Sequence, residues 1–206
     1  MGKARLEAFS DGVLAIIITI MVLELRVPHG EPGSAGAGAL VALAPVFGSY
    51  VLSFAFIAIY WNNHHHMLHA SERVNGGILW ANVHLLFWLS LVPFVTAWMG
   101  ENHFAPLPVA SYGVVMLMSG VAFNVLTRML VHLHGPQSTL ARALGGDLKG
   151  WASVVLYAIA IPLAFFDRWI ALGIYVVVSA MWLIPDRRIE RVIAPAPRGP
   201  RGHSSS

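Results

Sequence analysis

Arg5-Leu6-Glu7-Ala8-Phe9-Ser10-Asp11, followed by the uncharged run Gly12 to Leu23 and then Glu24, decides the class of this chain. Three ionisable residues and a serine crowd the mouth of an apolar segment that otherwise reads as membrane-spanning. Charge beside or inside a bilayer span is costly, so it comes with a partner and a purpose. The polar head of this segment, joined to an isoleucine-rich body, is the most informative feature of the sequence.

Working outward, hydrophobic residues make up 57% of the 206-residue chain and charged residues 11%, with a mean hydropathy of +0.67. A soluble domain carries about 25% charged residues. The chain therefore reads as an all-α, polytopic membrane protein. Absence of cysteine excludes disulfides, thiolate metal sites and cysteine nucleophiles, and leaves the compartment open. The net charge of +3 belongs to loops and tail, and no globular basic face is available to bind nucleic acid.

A span needs about 20 mostly apolar residues. Six candidates follow, at 10–27, 38–62, 76–99, 107–131, 149–166 and 168–185. They form one transmembrane domain over 1–188, with a basic, disordered tail over 189–206. The last two spans are separated only by Asp167-Arg168, which reads as the turn of a helical hairpin at a headgroup boundary. Pro45, Pro93 and Pro162 fall within spans and predict kinks or broken turns. Gly30 to Gly38 reads as a flexible link. Counting Lys and Arg on alternate sides puts eleven on the side of the N-terminus and two, Arg26 and Arg168, on the other. That asymmetry predicts a cell-membrane protein with both termini in the cytoplasm. Glu7 and Asp11, in what would be a basic region, argue against reading the first span as a cleaved signal peptide.

On a helical wheel with Ile16 at zero, Thr19 falls at roughly −60°, Ile20 at roughly +40° and Leu23 at roughly −20°. Asp11 falls at roughly −140°, on the far side. By spacing alone, the ordinary reading of such a stripe is a packing or lipid-facing seam.

The run Arg5-x-x-x-Phe9-Ser10-Asp11, with Ala15-Ile16-Ile17-Ile18-Thr19 and Leu23-Glu24-Leu25, resembles the signature of the endolysosomal potassium channel family and its bacterial relatives. Trp61-Asn62-Asn63-His64-His65, and Asn82-x-x-Leu85-Leu86 with Leu91-x-Pro93-Phe94-x-Thr96, extend the similarity through span three. Spans four to six fit in length and hydropathy only. The resemblance implies a homotetrameric cation channel, modestly selective for K+ over Na+, with no cofactor and no carbonyl-lined filter. It also implies that the first helices line the pore, with Ile16 at the narrowest point and Thr19 one turn outward. Ile20 and Leu23 continue the wall on the same stripe. A ring of isoleucines gates by dewetting, and a tight apolar neck favours the ion that dehydrates more easily, which is K+. Glu24 reads either as a cation-attracting rim or as a solvated helix end.

Ser10 and Asp11 lie off the stripe and call for buried partners. Trp61, His64 or His65, and Asn82 are the available ones, so Asp11 is expected to accept from an indole, an imidazole and an amide and to tie three helices together. Arg5 and Phe9 complete this structural group, Arg5 by neutralising Asp11 or Glu7 or by lying among headgroups. His65 and His69 stand i, i+4 on one face, a spacing that suits zinc or iron. Only Glu72 adds a carboxylate, and His84, His132 and His134 are scattered, so no metal site is assigned. Two other classes compete with a channel. An ion-coupled secondary transporter would show inverted repeats and a midplane ionisable residue, and a histidine-box metalloenzyme would need further boxes. Spans two to six show neither.

Overall fold

The computed structural model describes residues 2–27, 37–135, 137–138, 141 and 148–183. Every regular element among them is helical. Helix α1 spans Lys3–Met21 and tightens into a 3-10 turn at Val22–Glu24. Then follow α2 (Ala37–Ala42), α3 (Ala44–His69), α4 (Gly76–Ser90), α5 (Val92–Glu101), α6 (Pro106–His134), α7 (Leu148–Leu163) and α8 (Arg168–Leu183). The tail beyond 183 and most of the Gly30 to Gly38 link lie outside the described residues.

Four stretches are long and apolar enough to cross a membrane: Lys3–Glu24, Ala44–His69, Gly76–Glu101 and Pro106–His134. The described parts of α7 and α8 are 16 residues each, about 24 Å at 1.5 Å per residue, which is short for a full crossing. Asp167 caps α8 by accepting from the Trp169 amide at 2.8 Å, so the Asp-Arg break is a tight turn between paired helices. The expected six-helix bundle is what the chain forms.

The prolines act at helix starts more than in helix middles. Pro45 and Pro93 occupy the first turns of α3 and α5, where a missing N–H is harmless. Pro93 nevertheless divides the third span, because its ring cannot accept the preceding turn. The chain steps through Leu91, and the Ser90 hydroxyl donates to Phe87 O at 2.7 Å to satisfy a carbonyl near the break. Of these three, Pro162 alone lies beyond the first turn of its helix, one residue from the end of α7.

Helix α1 packs on α3, α4 and α5, while α6 is the hub that meets α4, α5, α7 and α8. The face of α1 carrying Leu6, Leu14, Ile17 and Met21 is buried. Between α3, α6, α7 and α8 lies an aromatic core of Phe56, Tyr112, Tyr157 and Tyr175, with ring centroids 5.6–6.4 Å apart. Beside it, Ser53 bonds to Thr96 at 2.6 Å and donates to the Tyr112 hydroxyl at 3.2 Å. A mostly apolar pocket of about 50 Å3 remains among Phe56, Tyr60, Phe123, Tyr157 and Trp182, with Asn63, Asn124 and Ser153 in its wall.

Candidate pore helix and its hydrogen-bonded anchor

The motif at the head of α1 is helical from Lys3, so its side chains radiate at fixed angles. Ser10 points inward and is fully buried. Its hydroxyl donates to Leu6 O at 2.9 Å and accepts from Asn82 Nδ2 of α4, also at 2.9 Å. Asn82 Oδ1 lies 2.7 Å from His64 Nε2 of α3. An amide oxygen only accepts, so His64 must carry its proton on Nε2. The result is a directed chain from His64 through Asn82 and Ser10 to a carbonyl of α1, linking three helices with no exposed member.

Asp11 lies one residue, or about 100°, further round the helix and is only half-buried. It accepts from Trp61 Nε1 at 3.0 Å in a more exposed setting. The geometry therefore divides the polar group expected around Asp11: Ser10, not Asp11, takes the amide, and the imidazole reaches Asn82. His65 does not enter the chain of bonds. Its ring stacks on Trp61 at 5.9 Å and on His69 at 6.1 Å. Arg5 is exposed, and the ion pair of this helix end is Lys3 with Glu7 at 3.7 Å. Phe9 is also exposed, because seven residues are nearly two turns and bring it back onto the Ile16 face.

That face is the other half of the site. Ile16 is 60% exposed, Ile20 41% and Leu23 73%, and Thr19 is exposed between them. None is packed into the chain's own core, while the opposite face of the same helix is closed by α3, α4 and α5. Thr19 Oγ1 lies 2.9 Å from Ala15 O and 3.0 Å from Ile16 O. Its one proton is spent on its own helix, so the oxygen lone pairs are what Thr19 offers outward. Glu24 ends the 3-10 turn half-buried. Among the described residues, no three of His, Asp and Glu converge as metal ligands.

A model of the family described as endosomal/lysosomal potassium channel TMEM175 matches residues 5–93, the segment that holds both the anchor and the exposed stripe. A protein named as a potassium channel in Chryseobacterium sp. (strain P1-3) is 50% identical over 93% of this chain and 97% of its own length. One from Streptomyces collinus, also named as a potassium channel, is 31% identical over 83% of this chain and 86% of its own. The rat protein named endosomal/lysosomal proton channel TMEM175 is 30% identical, and the match covers 80% of this chain but 36% of the rat protein. Among solved structures, the crystal structure of a lysosomal potassium-selective channel TMEM175 homolog from Chamaesiphon minutus superposes with a TM-score of 0.75 at 28% identity, covering 93% of this chain and 98% of that one.

Proposed function

Since the chain belongs to the TMEM175 family of channels, we propose that it is a K+-permeable channel of a bacterial cell membrane, built as a homotetramer with one α1 from each chain around the axis. The family is one of ion channels, so the chain is no enzyme and requires no cofactor. The observation that carries the pore reading is the exposed stripe Ile16–Thr19–Ile20–Leu23 on a helix whose other face is locked by buried hydrogen bonds. A single helix cannot enclose water, so several copies must converge, and closed cyclic rings are the usual solution. Ile16 then forms an apolar neck that resists wetting, and Thr19 supplies a ring of outward lone pairs beside it. An ion entering the neck sheds water, which disfavours Na+ more than K+. The excess of Lys and Arg on the α1 N-terminal side supports a cytoplasmic position for both termini.

Ion flux into liposomes tests this. Ile16→Asn should raise the leak of both ions and lower the K+/Na+ ratio. Thr19→Val should alter the ratio while leaving assembly unchanged. Fluxes of both ions unchanged by Ile16→Asn would move the constriction to Ile20 or Leu23.

A further inference from the structure

His134 is the last residue of α6 and lies against the turn that joins α3 to α4. Its Nδ1 is 2.8 Å from Leu130 O, which can only accept, so Nδ1 carries a proton. Its Nε2 is 3.0 Å from the amide nitrogen of Glu72 and 3.3 Å from that of Arg73, which can only donate, so Nε2 carries none. The partners alone define a neutral ring with its proton on Nδ1. An imidazolium has donors on both nitrogens and would aim the second at two N–H groups.

We propose that His134 is an acid-released latch, holding the end of α6 to the α3–α4 turn when neutral and letting go when protonated. It lies on the membrane face that carries the start of α1, since Lys3 Nζ reaches His69 O there at 3.3 Å. The surrounding charges favour release. Arg73 Nη2 donates to Leu133 O at 3.3 Å, so a guanidinium already occupies the cation-favouring end of α6, and a second cation beside it is repelled. Glu72 is the carboxylate of the turn, with its side chain exposed. Pairing with it requires the ring to swing away from the two amides, which is the release itself. Among the described residues, the other titratable groups at this end of the bundle are His66, half-buried in the last turn of α3, His69 and His132, both exposed, and the Lys3–Glu7 pair.

The turn connects the two helices that anchor α1, α3 through Trp61 and His64 and α4 through Asn82. Releasing it loosens the support of the pore helix. This effect on flux rests on the channel reading; the latch itself rests on the three hydrogen bonds. The full chain in detergent, followed by amide hydrogen exchange corrected for intrinsic pH dependence, should lose protection at Glu72 and Arg73 by about tenfold or more between about pH 8 and about pH 5. His134→Gln, whose amide oxygen accepts but does not titrate, should hold protection constant across that range. His134→Phe, which removes the acceptor, should leave both amides unprotected at every pH. Unchanged protection in the parent chain overturns the latch whatever the flux does. In liposomes, a K+ flux that responds to acid on the α1 N-terminal face in the parent, and not in His134→Gln, supports coupling to the pore. Loss of protection with an acid-insensitive flux overturns the coupling alone, and absence of flux at any pH overturns the channel reading alone.

Discussion

Ser10, Asn82 and His64 are each buried, and each has a hydrogen-bond partner of defined polarity. Removing the middle member strands a donor on His64 and an acceptor position on Ser10. A stranded buried group costs about 1–3 kcal/mol, so Asn82→Ala should lower thermal stability in detergent by about that amount for each of two groups. Asp11→Ala removes one bond to a Trp61 side chain that is 43% exposed, where water replaces the lost partner. It should therefore destabilise less than Asn82→Ala, and thermal unfolding of the two variants side by side gives the order directly. The reverse order would mean that Asp11 is the buried centre of the anchor. The motif's residue types were legible in the sequence, and so was the set of partner helices. What the wheel did not supply was which of two adjacent polar residues faces inward, because a 100° step is smaller than the uncertainty in where neighbouring helices lie. Phe9 shows the converse: its spacing from Ile16 put it on the exposed stripe, but its place in the motif drew it into the structural group.

At the scale of elements, the close approach of α6 to α8 depends on Gly113. A methyl group there would collide with the Tyr175 hydroxyl and ring and press on Ile161. Tyr175 is fully buried and donates to Val109 O at 3.1 Å, so the ring has nowhere to retreat without losing that bond. Overpacking of this kind costs about 1–3 kcal/mol. Gly113→Ala should lower the melting temperature, and adding Tyr175→Phe should recover part of the loss by removing the colliding oxygen. Equal, additive losses in the double variant would show that the two side chains do not meet. Helix count and the α7–α8 hairpin could be read from hydropathy and from Asp167-Arg168, because those signals are local. The division of the third span into α4 and α5 was foreshadowed by Pro93, whereas the aromatic core and the Gly113 contact were not. They arise between different helices, most of them far apart in sequence, and no periodicity within one helix reports its neighbour.

For the whole molecule, exposed isoleucines on α1 do not by themselves identify a pore, since lipid also accepts an apolar face. The two cases differ in what different copies of the chain bring together. Around a shared axis, four Ile16 side chains point at one another within reach of a single ion, and against lipid they point apart. The chain contains no cysteine, so an Ile16→Cys variant introduces one thiol per subunit into a silent background. Four thiolates at one level of a four-fold axis form a ring of soft sulfur ligands that soft divalent cations favour. Cd2+ should therefore block K+ flux through Ile16→Cys and be reversed by a chelator. The parent chain and Phe166→Cys, an 88% exposed position in the α7–α8 turn, should conduct as before. Native mass measurement in detergent should give four chains for all three proteins. Tetramers in which Cd2+ leaves Ile16→Cys flux unchanged would retain the assembly but move the ion path off this stripe. A protein that is only monomeric would leave no ring for α1 to line, and the pore built from Ile16 and Thr19 would fall with it.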